Sequence, residues 1–335
     1  MNGIDLNQFQ FDYDQTWAVM FLRHDGTVLA RYGTRGDKDG MKYNSLDGLT
    51  TTMRSVLDVH RHWQPGLEKR YAAKKGPIAK HATADQIPSK TISNILAREK
   101  QGKQSCIHCH NVYDGLRDDA ISQRDYDPAK RYKYPLPQSI GWNVDAASGT
   151  KITKVIAGSA AAQAGMRSGQ RIKTMNGQPV HSIADIQFVL HNLGERANLI
   201  IETLSSDIDR TTSKTVSLRP GWKVGDIGWR ASMYGMPPKP GLWVEAMGNG
   251  EKGKLGIAKD KLALKVRGVF GRDVRRSGLQ QGDVITQFAD ESDHHSEGDF
   301  HAHLRLNYYQ PNSKLPVNVI REGRPKEIVV TFVNE

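Results

Sequence analysis

One stretch of this chain is written twice. Ala164-Gly165-Met166-Arg167-Ser168-Gly169-Gln170-Arg171-Ile172 returns as Ser277-Gly278-Leu279-Gln280-Gln281-Gly282-Asp283-Val284-Ile285, displaced by 113 residues. Asp185 and Leu190 are matched by Asp299 and Leu304 at a displacement of 114. Upstream, Ile140-Gly141-Trp142 is matched by Leu255-Gly256-Ile257, glycine to glycine, at 115. Three anchors so close to one offset mean that a unit of under about 100 residues occurs in two copies. Each copy reads as a hydrophobic-Gly-hydrophobic loop, a strand, and a helix of small residues. A Gly-x-x-x-Gly turn then leads into a strand, an amphipathic helix and closing strands. A chain of 335 residues has room for two or three domains of roughly 100–200 residues, so the fold class is α+β and multidomain.

This pattern resembles the PDZ domain, in particular the kind found in HtrA-type proteases. The run Ser159 to Met166 supplies the short helix of small residues, and Gly165 the turn that ends it. Gln170 stands where the family usually has Asp, which Asp283 keeps, so the turn of the first copy is expected to be the looser one. The resemblance implies two PDZ-like β-barrel or sandwich domains. Each would add an extended peptide to a sheet edge and capture its terminal carboxylate on loop amides. The peptide-binding loops would be Ile140, Gly141 and Trp142 in the first copy and Leu255, Gly256 and Ile257 in the second. A purely structural or regulatory role for either copy stays open. No Gly-x-Ser-x-Gly context for a protease nucleophile occurs, so no protease active site is expected.

Both cysteines fall in Cys106-Ile107-His108-Cys109-His110. A Cys-x-x-Cys-His motif suits covalent haem c: two thiols add to the haem vinyls and the following His ligates iron. On this reading Cys106 and Cys109 are the anchors and His110 is the proximal iron ligand. Leu96 to Lys103 forms the helical approach, and Val112, Tyr113, Leu116 and Ile121 form apolar walls. A dithiol pair and a zinc half-site completed by histidines are the other readings. The distal ligand is left open among Met233, Met236, Met247, His60, His62 and His81. His294, His295, His301 and His303 are expected on an exposed loop and helix surface, with a metal site as the alternative.

Nearer the start, Thr16–Leu22 and Thr27–Tyr32 are β-prone runs around Asp25-Gly26, a hairpin signal. Ser45 then caps a helix with Leu46, Leu49, Met53, Val56 and Leu57 on one face, ended by Pro65-Gly66. This partial ββα unit resembles the second half of a thioredoxin-like domain. The formal charge is +11, and residues 54–103 carry 11 Lys or Arg against 4 Asp or Glu. With Gly76-Pro77 and Ile87-Pro88 inside it, that segment reads as a basic linker. It is suited to an acidic redox partner, and no aromatic pattern points to nucleic acid. No run reaches the roughly 18 apolar residues of a membrane span, and two cysteines rule out a disulfide scaffold.

The order of parts resembles a bacterial family of thioredoxin-like/PDZ domain-containing selenoproteins with a c-type haem motif. It divides the chain into 1–66 (half a thioredoxin-like domain), 67–134 (basic linker and small helical haem segment) and 135–220 (first PDZ copy). Residues 221–254 become a linker and 255–335 the second PDZ copy. Haem attachment implies a periplasmic or otherwise exported protein, with Met1 an internal start and the signal and missing half-domain upstream. The expected function is a c-type monohaem electron-transfer protein whose PDZ copies dock peptides or partners. The alternatives are a non-redox PDZ adaptor whose Cys/His motif is structural or zinc-binding, and an open-site haem peroxidase or sensor.

Overall fold

The two β-prone runs around Asp25-Gly26 pair as strands β1 (Val19–Leu22) and β2 (Val28–Tyr32) in a computed structural model that describes residues 1–335 except 104, 206–209, 294 and 334–335. The turn closes because the Thr27 amide donates to the Asp25 carboxylate at 2.9 Å and Gly26 adopts φ +80°. The chain divides into two compact units, Met1–Gly225 and Asp226–Glu335.

In the first unit, helix α1 (Leu46–Arg61) starts where expected, with Ser45 Oγ accepting from the Gly48 amide. The buried face is shifted: Val56 is buried as expected, but with Gly48 and Thr52, while Leu46, Met53 and Leu57 are exposed. Gly48 is the reason. A Cβ there would stand 2.4 Å from the Ala146 carbonyl, so the small-residue face approaches the rest of the unit more closely than a leucine face can. Helices α2 (Leu67–Ala72), α3 (Lys90–Lys100) and α4 (Cys109–Ser122) follow. Residues 67–134, expected as linker and haem segment, are therefore largely helical and packed. Ala84, Ile87, Ile92, Ile107 and Val112 form a core with Leu6, Tyr13 and Phe188. Gly115 lets α4 cross against Ile87 and Ile92, since a Cβ would stand 3.0 Å from Ile92 Cγ1.

The remainder of this unit carries β3 (Trp142–Val144), β4 (Ile152–Val155), α5 (Ala160–Gln163), β5 (Arg171–Met175) and β6 (Gln178–Pro179). Helix α6 (Ile183–His191) and strands β7 (Ala197–Leu204) and β8 (Thr211–Leu218) complete it. β3 pairs with β4, and a second sheet runs β6-β5-β7-β8. Alternate residues Leu199, Ile201, Val216 and Leu218 face a core with Trp142, Ile152, Met175, Ile186 and Leu190.

The second unit follows the same plan in one antiparallel sheet, ordered β13-β12-β11-β10-β9. Its elements are β9 (Leu242–Ala246), α7 (Asn249–Lys254), β10 (Leu264–Val269), α8 (Arg272–Ser277) and β11 (Val284–Phe288). They end with α9 (Glu297–Asn307), β12 (Ser313–Arg321) and β13 (Arg324–Phe332). Glu322-Gly323, both at positive φ, make the two-residue turn of the last hairpin. The glycine turns of the two units share one closing bond. The Arg167 amide donates to Gln170 Oε1 and the Gln280 amide to Asp283 Oδ2, each at 2.9 Å. Gln170 thus accepts the same closing bond as the carboxylate, while Asp283 also holds Arg321 through both oxygens, at 2.7 Å each.

One ion cluster holds the first unit together. Asp185, in the first turn of α6 and 2 % exposed, accepts Lys74 Nζ at 2.8 Å, the Arg31 amide at 3.1 Å and the His181 amide at 3.1 Å. Arg31 extends its guanidinium to the carbonyls of Gln10 and Lys74 and over the Phe188 ring, 3.5 Å from its centroid. Removing one partner of a buried pair strands the other charge. Asp185→Ala is expected to destabilise the first unit by about 3–5 kcal/mol, read as a lower urea midpoint; a shift within about 0.5 kcal/mol would reduce the cluster to a surface-like contact.

Candidate functional site

The loop ahead of β3 is set by Gly141. It adopts φ +107°, and a Cβ there would stand 2.0 Å from Ser159 Oγ. Its carbonyl accepts from the Ile156 amide at 2.8 Å, and its own amide donates to the carbonyls of Pro137 and Gln138. Ile140 and Trp142 on either side are buried. In the second unit Gly241 occupies the corresponding place. It has φ +56°, its carbonyl accepts from the Phe270 amide at 2.6 Å, and a Cβ would meet Gly271. Ser159 and Gly271 are in turn the N-caps of α5 and α8. The counterpart of Ile140-Gly141-Trp142 is therefore Pro240-Gly241-Leu242. Leu255-Gly256-Ile257, assigned that role from the sequence, lies at the C-terminal end of α7, after the first strand of the unit. The strands β9 and β10 are joined by residues 247–263, against 145–151 in the first unit, and this longer excursion displaces the apparent match.

Across from each loop stands a helix, α6 or α9, begun alike by Ser182 with Asp185 and by Ser296 with Asp299. Both helices are covered by their own unit. In α6 every residue from Ile183 to Leu190 is buried. Gln187 Nε2 donates to the Tyr134 carbonyl at 2.8 Å. The Tyr134 amide donates to His191 Nδ1 at 3.4 Å, and the two rings stack 4.1 Å apart at 16°. Between Tyr134, Ala184, Gln187 and Arg31–Gly33 a void of only about 10 Å³ is left. In α9, Arg305 donates to the carbonyls of Met233 (2.8 Å) and Tyr234 (3.1 Å), and the Tyr234 ring meets His301 edge-on at 5.2 Å. Gly298 packs backbone to backbone on Gly228, and Glu297 Oε1 accepts the Ala246 amide of edge strand β9 at 2.7 Å.

Residues 151–203 match the family model described as PDZ domain. That segment is a PDZ domain. The chain is also similar to a probable periplasmic serine endoprotease DegP-like of Pseudomonas savastanoi pv. phaseolicola (strain 1448A / Race 6), 26% identical over 171 residues that cover 47% of this chain and 32% of that protein. It thus spans about a third of the relative's length. Among solved structures, the HtrA-type protease AlgW with a tripeptide is 23% identical over 27% of this chain and 29% of that one, with a TM-score of 0.22. The same protease with a decapeptide is 19% identical over 39% and 40%, with a TM-score of 0.23.

Outside the PDZ domain, the Cys/His motif lies at the start of α4, where His108 is the N-cap and donates its amide to Asn111 Oδ1 at 3.0 Å. Cys106 is exposed; Cys109 and His110 are half-buried. The His108 and His110 rings stack 5.9 Å apart, and His110 Nδ1 lies 3.6 Å from Asp114. The donors therefore suit thioether attachment and an imidazole ligand. The expected walls differ: Val112 and Tyr113 are closed in the core with Ile107, leaving Ile95, Leu96 and Leu116 half-buried beside Cys109. His62 pairs with Asp58 and His81 with Asp119, while Met233, Met236 and Met247 are buried inside the second unit. His301 is buried rather than exposed, and His303 packs on Phe288. His295 pairs with Glu291, and His294 lies outside the described residues. Among the described residues no group of three or more His, Cys, Asp or Glu is placed to hold a metal.

Two features escaped sequence reasoning. One is a second, offset-100 repeat, Tyr134-x-x-Pro137-x-x-x-Gly141-x-x-Val144 against Tyr234-x-x-Pro237-x-x-x-Gly241-x-x-Val244, which marks the true loop of the second unit. The other is His181 beside the PDZ helix. It faces a cleft of about 520 Å³, with Nδ1 2.7 Å from Ser55 Oγ and Nε2 2.9 Å from Tyr71 Oη. Burial, helped by the Lys74 charge, pulls its imidazole from 6.5 down to about 4. Below pH 6.5 the unfolded chain binds a proton that the folded imidazole refuses until about pH 4, so stability is full above that window and is lost as pH falls through it. On the order of 3 kcal/mol is at stake. Urea titrations from pH 7.5 to 4 should show a smaller acid loss in His181→Gln than in the native chain; parallel curves would refute the assignment.

Proposed function

We propose that this chain is a docking protein whose PDZ domain, and the second unit built on the same plan, engage extended or C-terminal segments of other proteins. The observation that carries this is the PDZ match over residues 151–203 together with a loop glycine held at positive φ before a short edge strand in both units. Such a strand supplies main-chain bonds to an added peptide strand, and flanking side chains supply selectivity. On this reading residues 135–225 and 226–335 are the two docking modules, the first 134 residues brace the first of them, and no catalytic step is assigned. The similarity to a periplasmic relative supports placing the protein outside the cytoplasm.

A second reading attaches to Cys106, Cys109 and His110. Their partial exposure and spacing support covalent haem c, with His110 as proximal ligand and its Nδ1 turned toward Asp114. Haem would add a one-electron couple and an acidic redox partner to the docking role.

The two readings separate experimentally. Selection of displayed C-terminal peptides on the full chain should return binders whose affinity falls at least tenfold when Gly141 is replaced by Val in a variant of unchanged circular dichroism; binders indifferent to Gly141→Val and to Gly241→Val would remove the docking assignment. Expression with haem-maturation machinery, followed by a pyridine haemochrome spectrum, should give a covalent haem signal abolished by Cys106→Ala with Cys109→Ala; no signal from the native chain would leave the motif a structural or zinc-binding element.

A further inference from the structure

Each docking helix already holds an occupant. Seven residues before the loop glycine, at the same place in both units, a tyrosine of the chain lies across the helix: Tyr134 before Gly141 and Tyr234 before Gly241. The helix positions that hold it also correspond, at the offset of 114 that relates Ser182 to Ser296. Gln187 and His191 take the carbonyl, amide and ring of Tyr134. His301 and Arg305 take the ring and carbonyl of Tyr234, with the Arg305 guanidinium 5.6 Å from the ring centroid. A cross-chain contact rebuilt twice with different side chains is a contact the fold keeps for its own sake.

The strap is also held against local preference. Tyr134 sits at φ +45° with Pro135 following it, a left-handed conformation that a residue with a Cβ adopts only when its surroundings impose it. The ring stack, the Gln187 bond and burial on α6 supply that constraint. In the second unit Tyr234 is 48 % exposed, so the same clamp there is open to solvent on one side.

We infer that the outer face of α6 and of α9 is a receptor for a Tyr-x-x-Pro segment, filled in cis by the chain's own Tyr134–Pro137 and Tyr234–Pro237, and that partner segments of the same chemistry enter by displacing it. This rests on the docking reading of the PDZ domain and specifies what it admits: an extended peptide with an aromatic ring three residues ahead of a proline. His191 and Arg305 select the ring, by stacking and by cation–π attraction respectively.

The test uses the full chain and a fluorescein-labelled peptide with the sequence of residues 131–139. Tyr134→Ala, which vacates the clamp, is expected to bind this peptide at least tenfold more tightly than the native chain. Tyr134→Phe, which keeps the ring, should match the native chain. Adding His191→Ala to Tyr134→Ala should abolish the gain, an effect that mere loosening of the fold would not produce. If circular dichroism shows that Tyr134→Ala does not fold, Tyr234→Ala with a peptide of residues 231–239 gives the same comparison at the half-exposed clamp. Equal binding by native and vacated chains, including none by either, overturns the inference. Selected C-terminal peptides assayed on the same variants separate the two claims. If they bind the native and vacated chains equally, docking stands and the clamp falls. If the strap peptide binds the vacated chain while no C-terminal peptide binds any chain, the clamp stands and docking of chain termini falls.

Discussion

The carboxylate of Asp185 is the point on which the first unit is assembled. It sits at the N-terminal turn of α6, where backbone amides favour a negative charge, and gathers the amides of Arg31 and His181 with the Lys74 ammonium. Three separate parts of the chain, the β1–β2 hairpin, the segment after α2 and the PDZ helix, are thereby joined at one buried site. Burial, helped by the Arg31 charge, pulls the Lys74 ammonium down to about 8, with Asp185 opposing the shift. The cluster is thus an alignment device more than a source of net stability, since desolvation consumes much of the Coulomb attraction. In the second unit the corresponding Asp299 bonds to the Ser296 amide and hydroxyl at the start of α9. α6 is sealed by the hairpin and by Tyr134; α9 is covered by the preceding segment of its own unit.

A consequence for recognition follows from the same packing. A docking helix with an open face would present a ready apolar groove, whereas these two present a filled one. On the proposed reading, ligand entry becomes an exchange, and the affinity of a partner is reduced by the stability of the internal contact it replaces. The two units differ in this respect. Tyr134 is buried and stacked on an imidazole, while Tyr234 is half exposed over a guanidinium, so on that reading exchange is easier at the second.

Much of the architecture was legible because it follows from local chemistry. Asp25-Gly26 announced the hairpin, Ser45 the helix start, and the two glycine turns the repeat. What escaped depended on contacts between distant residues. The buried face of α1 was misjudged because Gly48 has no hydrophobicity to signal that it faces the closest neighbour. The basic segment 54–103 read as solvated because Lys74 and the core residues Ala84, Ile87 and Ile92 are interspersed among exposed cations. The second loop was placed at Gly256 because a hydrophobic-Gly-hydrophobic triplet inside an insertion kept the repeat's spacing by coincidence. Its true position needed the register of β9 with β10. The Cys-x-x-Cys-His motif is plain in the sequence, yet its neighbours Ile107 and Val112 were spent on a core that only the fold reveals.

The balance of charge inside the protein bears on how the whole behaves in solution. Six cations (Arg31, Lys74, Arg117, Arg230, Lys252 and Arg305) and five acids (Asp12, Asp14, Asp119, Asp185 and Asp283) are buried among the described residues. The interior is therefore almost neutral, and nearly all of the formal +11 is displayed to solvent. At low salt the molecule travels as a polycation, retained by acidic surfaces and repelled by its own copies. At about 0.15 M salt the field shrinks to a layer of about 8 Å. Ionic strength thus sets how far from the surface an acidic partner first feels this protein.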